Sequence, residues 1–305
     1  MMFSHFIDKY RQFGGHRLVL AYMRMGLTIP ATKCLFRALR GKVALGDVAS
    51  EMSRYVVPKL QDEFKPFLSD YLQNVQETEE DANDGHIWWC WLQGMDNAPE
   101  MVKKCYESLI KYAGNKKVIA LDLNNIHDYV DFPDFIERKY RKGIIPHAHY
   151  TDLLRVALLY KYGGTWVDST CMITGDISRY VDQNLFLFQF LQKGVEGYQG
   201  ISNWWISARK GHPAIKLMYD MLVKYWERYD CVVEYFFFHV FYGMIMRERP
   251  DWWQQMQNYR NRYPLFVRMM IKYNKPYDDQ WLGELKKRTS VHKLNWRLDP
   301  QSFRL

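Results

Sequence analysis

The chain has 305 residues, enough for one large domain with an appendage or for two modest ones. With 48% hydrophobic and 25% charged residues it supports a sizeable packed core and excludes wholesale disorder. The net charge of +8 is uneven: residues 1–45 hold eight Lys and Arg against Asp8, so the arm carries +7 and the rest is nearly neutral. No zinc, helix-turn-helix or RNA-binding signature accompanies that charge, so no nucleic-acid partner is expected.

In chain order, the basic arm comes first. Its Lys and Arg alternate with Leu, Val, Phe and Met, a pattern that suits either a peripheral contact with an anionic membrane surface or a helical cap with a solvated basic face. The apolar stretch Leu18 to Pro30 is interrupted by Arg24 and is too short to span a bilayer. It also lacks the small-residue cleavage site of a signal peptide, so the expected location is cytoplasmic, with a peripheral position at the inner face of the membrane as the membrane-bound form. Residues 1–80 read as an N-terminal helical region. Within it, Gly46 to Gln76 has apolar residues at helical spacing, with breaks expected at Pro58 and Pro66. The acidic, turn-prone run Glu77 to Asp84 marks the boundary to a second domain over residues 84–305.

That second part alternates. His86 to Leu92 reads as a buried strand. Asn97 is placed to cap a helix starting at Ala98, with Pro99 in its first turn, that runs to Tyr112 and stops at Gly114. Lys117 to Leu121 is a strand, and Pro133 opens another helix. His149 to Tyr162 is a helix with Leu153, Leu154, Ala157, Leu158 and Tyr162 on one face, ended by Gly163 and Gly164. Thr165 to Asp168, Leu185 to Leu191 and Ser202 to Ala208 are further strands. From about His212 the chain reads as mainly helical, with helices from Pro213 to Arg228 and from Glu234 to Arg247, before an extended end at Val291 to Arg297. Such alternation predicts an α/β fold with a largely parallel sheet. The five cysteines are odd in number and scattered, with neither zinc spacing nor a disulfide framework, so reduced buried thiols are expected.

The chemistry gathers around Asp152-x-x-Arg155, then Tyr162-Gly163-Gly164, then Asp168. At i and i+3, Asp152 and Arg155 project on one side of their helix. The glycine pair lets the chain reverse, and the strand delivers Asp168 to the carboxyl edge of the sheet, where ligands of open α/β sheets bind. A carboxylate there can hold a divalent cation, and the cation can neutralise a diphosphate. Arg155 can offer its planar fork to a sugar or phosphate. From spacing alone a surface ion pair between Asp152 and Arg155, with Asp168 as a turn cap, explains the same residues. Among weaker signals, His239 after Phe236-Phe-Phe reads as a core histidine and Trp204-Trp205 and Trp252-Trp253 as aromatic packing. Asp278 reads as a helix cap.

The block His149-Tyr-Thr-Asp-Leu-Leu-Arg-Val-Ala-Leu-Leu-Tyr-Lys-Tyr-Gly-Gly-Thr-Trp-Val-Asp-Ser-Thr170 resembles the DXD-motif block of capsular polysaccharide synthesis proteins. These are relatives of glycosyltransferases with DXD sugar-binding motifs, a group that includes yeast α-mannosyltransferases and clostridial glucosylating toxins. Ile87-Trp-Trp-Cys-Trp-Leu-Gln-Gly94 followed by Asn97-Ala-Pro99 resembles the family's first nucleotide-binding strand. His292-Lys293-Leu294, followed by an aromatic and a basic residue (Trp296 and Arg297), resembles its C-terminal end. The likeness covers residues 84 to 297.

The resemblance implies a GT-A-type, Rossmann-like nucleotide-sugar-binding domain with N-terminal and C-terminal helical additions. It implies that Trp91 stacks on the nucleotide base, that Asp152 contacts the donor sugar or ribose, and that Arg155 binds the donor. It makes Asp168 the first carboxylate of the metal-binding motif for Mn²⁺ or Mg²⁺, with His292 and Lys293 on a segment closing over the diphosphate. One departure stands out: the motif reads Asp168-Ser169-Thr170, with a hydroxyl where a second carboxylate is usual. The expected activity is transfer, with retention, of a sugar from a nucleoside-diphosphate sugar to a glycan or lipid-linked acceptor in capsular or surface polysaccharide biosynthesis. The missing carboxylate leaves a non-catalytic glycan-binding or scaffold protein of the same fold as the alternative. The arm alone suggests a third reading, a membrane-surface adaptor.

Overall fold

The structure is a computed structural model that describes residues 10–40, 48–75, 85–189, 201–254, 256, 262–301 and 303–305. The acidic run at 77–84 lies outside these residues, as do Phe190 and Leu191. The chain divides into two compact units: Met1–Val75, Phe132–Leu153 and Leu217–Glu248 form the first, and Gln76–Asp131, Leu154–Lys216 and Arg249–Leu305 form the second. The N-terminal helical region is thus joined in its unit by two segments from later in the chain.

The first unit contains α1 (His16–Arg24), α2 (Thr28–Leu39) and α3 (Val48–Asn74). Pro58 and Pro66 do not break α3, which runs through both. Met52, Val56, Leu60, Phe64 and Leu68 recur every fourth residue and are buried, so a continuous apolar stripe carries the helix past the prolines. Both prolines are exposed, as are Arg54 and Asp62, whose carbonyls lose their partners, and water can satisfy them there. Phe64 packs at 4.5 Å on Phe241, and Tyr225 stacks at 3.9 Å on Phe237, which fixes the unit's aromatic centre.

The second unit is built on β1 (Ile87–Cys90), α4 (Glu100–Tyr112), β2 (Val118–Leu121), β3 (Gly164–Asp168), β4 (Cys171–Ile173), β5 (Leu185–Gln189), β6 (Ile201–Ala208) and β7 (Val291–Lys293). The main sheet has the order β2-β1-β3-β6-β5. β1 pairs parallel with β2 and with β3, while β6 is antiparallel to both β3 and β5. The sheet is therefore mixed. All four residues of β1 are buried, which is why that strand reads as a continuous apolar run rather than an alternation. β4 and β7 form a separate antiparallel pair, and β4 was not foreseen. The core beneath the main sheet joins Ile87, Trp89, Val102, Val167, Phe186 and Trp205.

Between β2 and β3 lie α5 (Asp134–Arg141) and α6 (His147–Tyr162), and after β6 come α7 (Pro213–Arg228) and α8 (Phe237–Glu248). The C-terminal part holds α9 (Pro250–Gln254), α10 (Arg262–Lys272) and α11 (Asp279–Arg288). Asp278 caps α11 by accepting from Trp281 N at 2.8 Å. Asn97 does not cap α4. It closes a short turn from Met95, its amide donates to the Gln93 carbonyl, and Pro99 is the residue that enters the helix. Among the described residues no helix is long and apolar enough to cross a membrane.

Two glycines make the turn from α6 into β3. Gly163 has φ 71° and Gly164 φ 96°. A Cβ on Gly164 would stand 2.4 Å from the His86 carbonyl oxygen, at the point where β3 joins β1. Gly164→Ala should therefore lower the unfolding free energy by about 1–3 kcal/mol. A thermal melt indistinguishable from that of the parent would show that the turn tolerates a side chain.

Candidate active site

The parallel register Cys90↔Asp168 aligns the carboxyl ends of β1 and β3. Asp168 therefore stands at the sheet edge where α/β folds bind ligands. Trp166 lies two residues earlier, on the same face of the strand, and its indole Nε1 donates to Asp168 Oδ1 at 2.9 Å. Arg155 Nη1 approaches the same oxygen at 3.5 Å. The guanidinium carbon lies 5.0 Å from the Trp166 ring centroid, and the group also donates to the Asn203 carbonyl. On the other oxygen, Lys293 Nζ sits 3.0 Å from Asp168 Oδ2 and also donates to Thr170 Oγ1.

β4 and β7 make that last contact possible. Their register pairs Cys171 with Lys293, which sets the lysine beside the Asp168-Ser169-Thr170 turn. The Leu294 N–H donates to the Thr170 carbonyl at 2.8 Å, extending the ladder by one bond. Burial pushes the Asp168 carboxyl up, but the charges of Lys293 and Arg155 and the hydrogen bonds from Trp166 and Lys293 outweigh it. They hold the group below the usual carboxylate range. The result is an ionised carboxylate clamped between two cations, with Asp168 itself about a quarter exposed (23%).

His292, next to Lys293, is turned away. Successive residues of a strand face opposite sides, and the imidazole is fully buried with Nε2 at 3.0 Å from Thr174 Oγ1. Burial, aided by the charge of Lys286, pushes it down to about 3, so it stays neutral at ordinary pH. The structure therefore brings together Arg155, Asp168 and Lys293 but not His292. Asp152 and Arg155 are both buried, so neither belongs to a surface ion pair. Within the first unit, Asp152 Oδ2 meets His149 Nδ1 at 3.3 Å, and His149 stacks on Phe237 at 4.8 Å.

Trp91 directly follows β1, and its N–H donates to the Leu121 carbonyl at 3.1 Å. Its indole Nε1 is buried, with no hydrogen-bond partner among the described residues. The ring lies 6.4 Å from that of Trp296, which is exposed and has the Arg297 guanidinium 4.6 Å from its centroid. Trp166 is a site neighbour to which sequence reasoning gave no role, and Trp296 entered it only as the aromatic residue of the C-terminal resemblance. The i, i+2 spacing of Trp166 and Asp168 could have found the first. The buried thiols are unsuited to nucleophilic work: burial pushes Cys90 and Cys105 up to about 12. Trp204 and Trp205 are core residues, with Trp204 stacked on Phe188 at 4.7 Å and Trp205 donating to the Tyr180 carbonyl.

Among the described residues no group of three or more His, Cys, Asp and Glu side chains could hold a metal ion. Asp168 and the Thr170 hydroxyl do not make a resident metal site. One carboxylate and one hydroxyl could serve a Mg²⁺ only if its remaining positions were filled by oxygens from outside the protein.

The profile of capsular polysaccharide synthesis proteins matches residues 45–304. The chain belongs to that family. Two curated fungal proteins are similar to this capsular polysaccharide synthesis family member. O-glycosyltransferase braB of Annulohypoxylon truncatum is 24% identical over 162 residues, covering 48% of this chain and 38% of its own length. O-glycosyltransferase PaGT of Phomopsis amygdali is 21% identical over 169 residues, covering 50% of this chain and 41% of its own length. The chain thus spans about two fifths of the length of these curated relatives. Among solved structures, the PaToxG glycosyltransferase aligns with a TM-score of 0.41 and 15% identity over 66% of this chain and 85% of its own.

Proposed function

We propose that this chain is a glycosyltransferase of GT-A type. It moves a sugar, with retention, from a nucleoside-diphosphate sugar to a glycan or lipid-linked acceptor in capsular or surface polysaccharide biosynthesis. The observation that carries the reading is the Asp168 carboxylate held between Lys293 and Arg155 at the joined carboxyl ends of β1 and β3. Family membership and the names of the fungal relatives support it.

In this reading Trp91 stacks on the nucleotide base, and Asp152 contacts the donor sugar or ribose. Arg155 and Lys293 supply positive charge to the diphosphate. A bound Mn²⁺ or Mg²⁺ would be held by Asp168, with Thr170 reaching it through water, and would neutralise the leaving diphosphate. Lys293 must then exchange its hold on Asp168 for a phosphate oxygen, which a flexible ammonium on a four-carbon stem can do. His292 keeps its neutral, buried place behind the strand. No residue is assigned as nucleophile. The protein would work in the cytoplasm and, for a lipid-linked acceptor, at the inner face of the membrane.

A donor screen tests the reading. Purified protein with Mn²⁺ should slowly hydrolyse one nucleoside-diphosphate sugar and bind the matching diphosphate with metal-sensitive affinity in a calorimetric titration. The replacement of a second carboxylate by Thr170, with Lys293 bonded between it and Asp168, favours the other reading, a scaffold that binds glycan without chemistry. Binding of glycan with no binding of any diphosphate would decide for the scaffold.

A further inference from the structure

The basic arm is not used by the proposed chemistry, and its structure gives it a face. Over residues 10–40 the charged residues are Arg11, Arg17, Arg24, Lys33, Arg37 and Arg40, with no Asp or Glu. On α1, Leu18, Ala21 and the following Met25 are buried. At 100° per residue, Val19, Leu20 and Met23 fall on the opposite side, and they are 48%, 49% and 55% exposed. On α2, Cys34 and Ala38 are buried, while Ile29, Lys33, Phe36 and the capping Arg40 recur at i, i+4, i+7 and i+11 along the outer side. Ile29 is 68% and Phe36 51% exposed, and the Arg40 guanidinium lies 4.1 Å from the centre of the Phe36 ring. Arg37 is engaged with Glu51 of α3.

Each helix is thus amphipathic inside out. It buries small or few apolar groups and shows larger ones to solvent, among cations. A solvated basic cap has no use for exposed Ile, Phe, Met and Leu. A second copy seated on the same face would set like charges against like. An anionic bilayer satisfies both halves of the pattern. Apolar side chains enter the boundary between headgroups and acyl chains, and Lys and Arg lay their stems along it with their charges among the headgroups.

We propose that the outer faces of α1 and α2 bind the surface of an anionic lipid bilayer. The inference stands apart from the transferase reading, because donor turnover in solution does not involve this face.

The test is co-sedimentation of the full chain with vesicles of phosphatidylcholine alone and of phosphatidylcholine mixed with phosphatidylserine, at low and high salt. The chain should sediment with the mixed vesicles at low salt and be released by high salt. Replacing Lys33→Gln and Arg40→Gln together should weaken that partition roughly 25-fold, at about fivefold per charge near the surface. Ile29→Ser with Phe36→Ser should also weaken it at low salt, with every cation of the face still in place. All four side chains are exposed, so melting temperature and donor hydrolysis should not change. Absence of sedimentation with mixed vesicles, or partition unchanged in both variants, overturns the proposal. So does concentration-dependent dimerisation that Phe36→Ser abolishes, which would assign the face to a second copy.

Discussion

Asp168→Asn should lower kcat/KM for the donor by roughly 10³-fold, about 4 kcal/mol of transition-state stabilisation, in the presence of Mn²⁺. Asparagine keeps the shape and can still accept from the Trp166 indole. It loses the charge that orders Arg155 and Lys293 and that would take a cation arriving with diphosphate. The change also acts on stability, because two largely buried cations lose their common partner, at a cost of about 3 kcal/mol. Activity is therefore to be compared well below the variant's melting temperature.

The pH dependence has a definite sign. The folded-state pKa of Asp168 is depressed, so its contribution to stability is present above the unfolded carboxylate value and is lost as pH falls through the folded one. Stability of the parent should decline across that acid window, and the Asn variant should decline less there. Full donor turnover by the variant would remove Asp168 from the site.

Lys293→Met should lower kcat/KM roughly 10²-fold and also move its acid limb to higher pH. Methionine keeps most of the stem's volume, so packing between β7 and β4 is retained. Burial opposes ionisation of Asp168, and the Lys293 charge is the foremost influence that overcomes it. Without that charge the carboxyl rises toward the ordinary range. A merely structural lysine would reduce activity without shifting the acid limb. Lys293→Arg should restore the limb to its parental position and part of the rate. A kcat/KM profile of unchanged shape in the Met variant would assign the counter-charge to Arg155 alone.

Many elements were legible because they are locally determined. β1 and β2 are short apolar runs bounded by turns, and α6 is ended by a glycine pair as expected, though it is buried on every side from Asp152 to Leu159 and not on one face only. The helix Pro213–Arg228 has its expected limits. The elements that escaped depend on distant partners. Cys171 to Ile173 is three residues long and becomes a strand only because Val291 to Lys293 lies beside it. α3 shows the opposite failure: a local rule about proline was overridden by a buried stripe that faces the unit's core.

The site divides in the same way. The spacing of Arg155 and Asp168 relative to Gly163 and Gly164 pointed to a sheet-edge constellation. Trp166 followed from strand alternation and was overlooked. The meeting of Lys293 with Asp168 could not be read from spacing, since 125 residues separate them, and it rested on resemblance. Resemblance also placed His292 beside Lys293, but one residue along a strand is the opposite face.

The pairing of β7 with β4 has a consequence for the order of events on the ribosome. Asp168 is synthesised after β1, one strand partner of β3, and before β6, the other. Lys293 follows Asp168 by 125 residues. Until then a carboxylate in a partly dry setting has Arg155 as its one formal counter-charge among the contacts described, and the chain that would carry the second is still being added. Closing that long-range contact is the slow kind of step in folding. A nascent chain therefore holds every strand of its main sheet before Lys293 is added, and its charge clamp closes after its sheet.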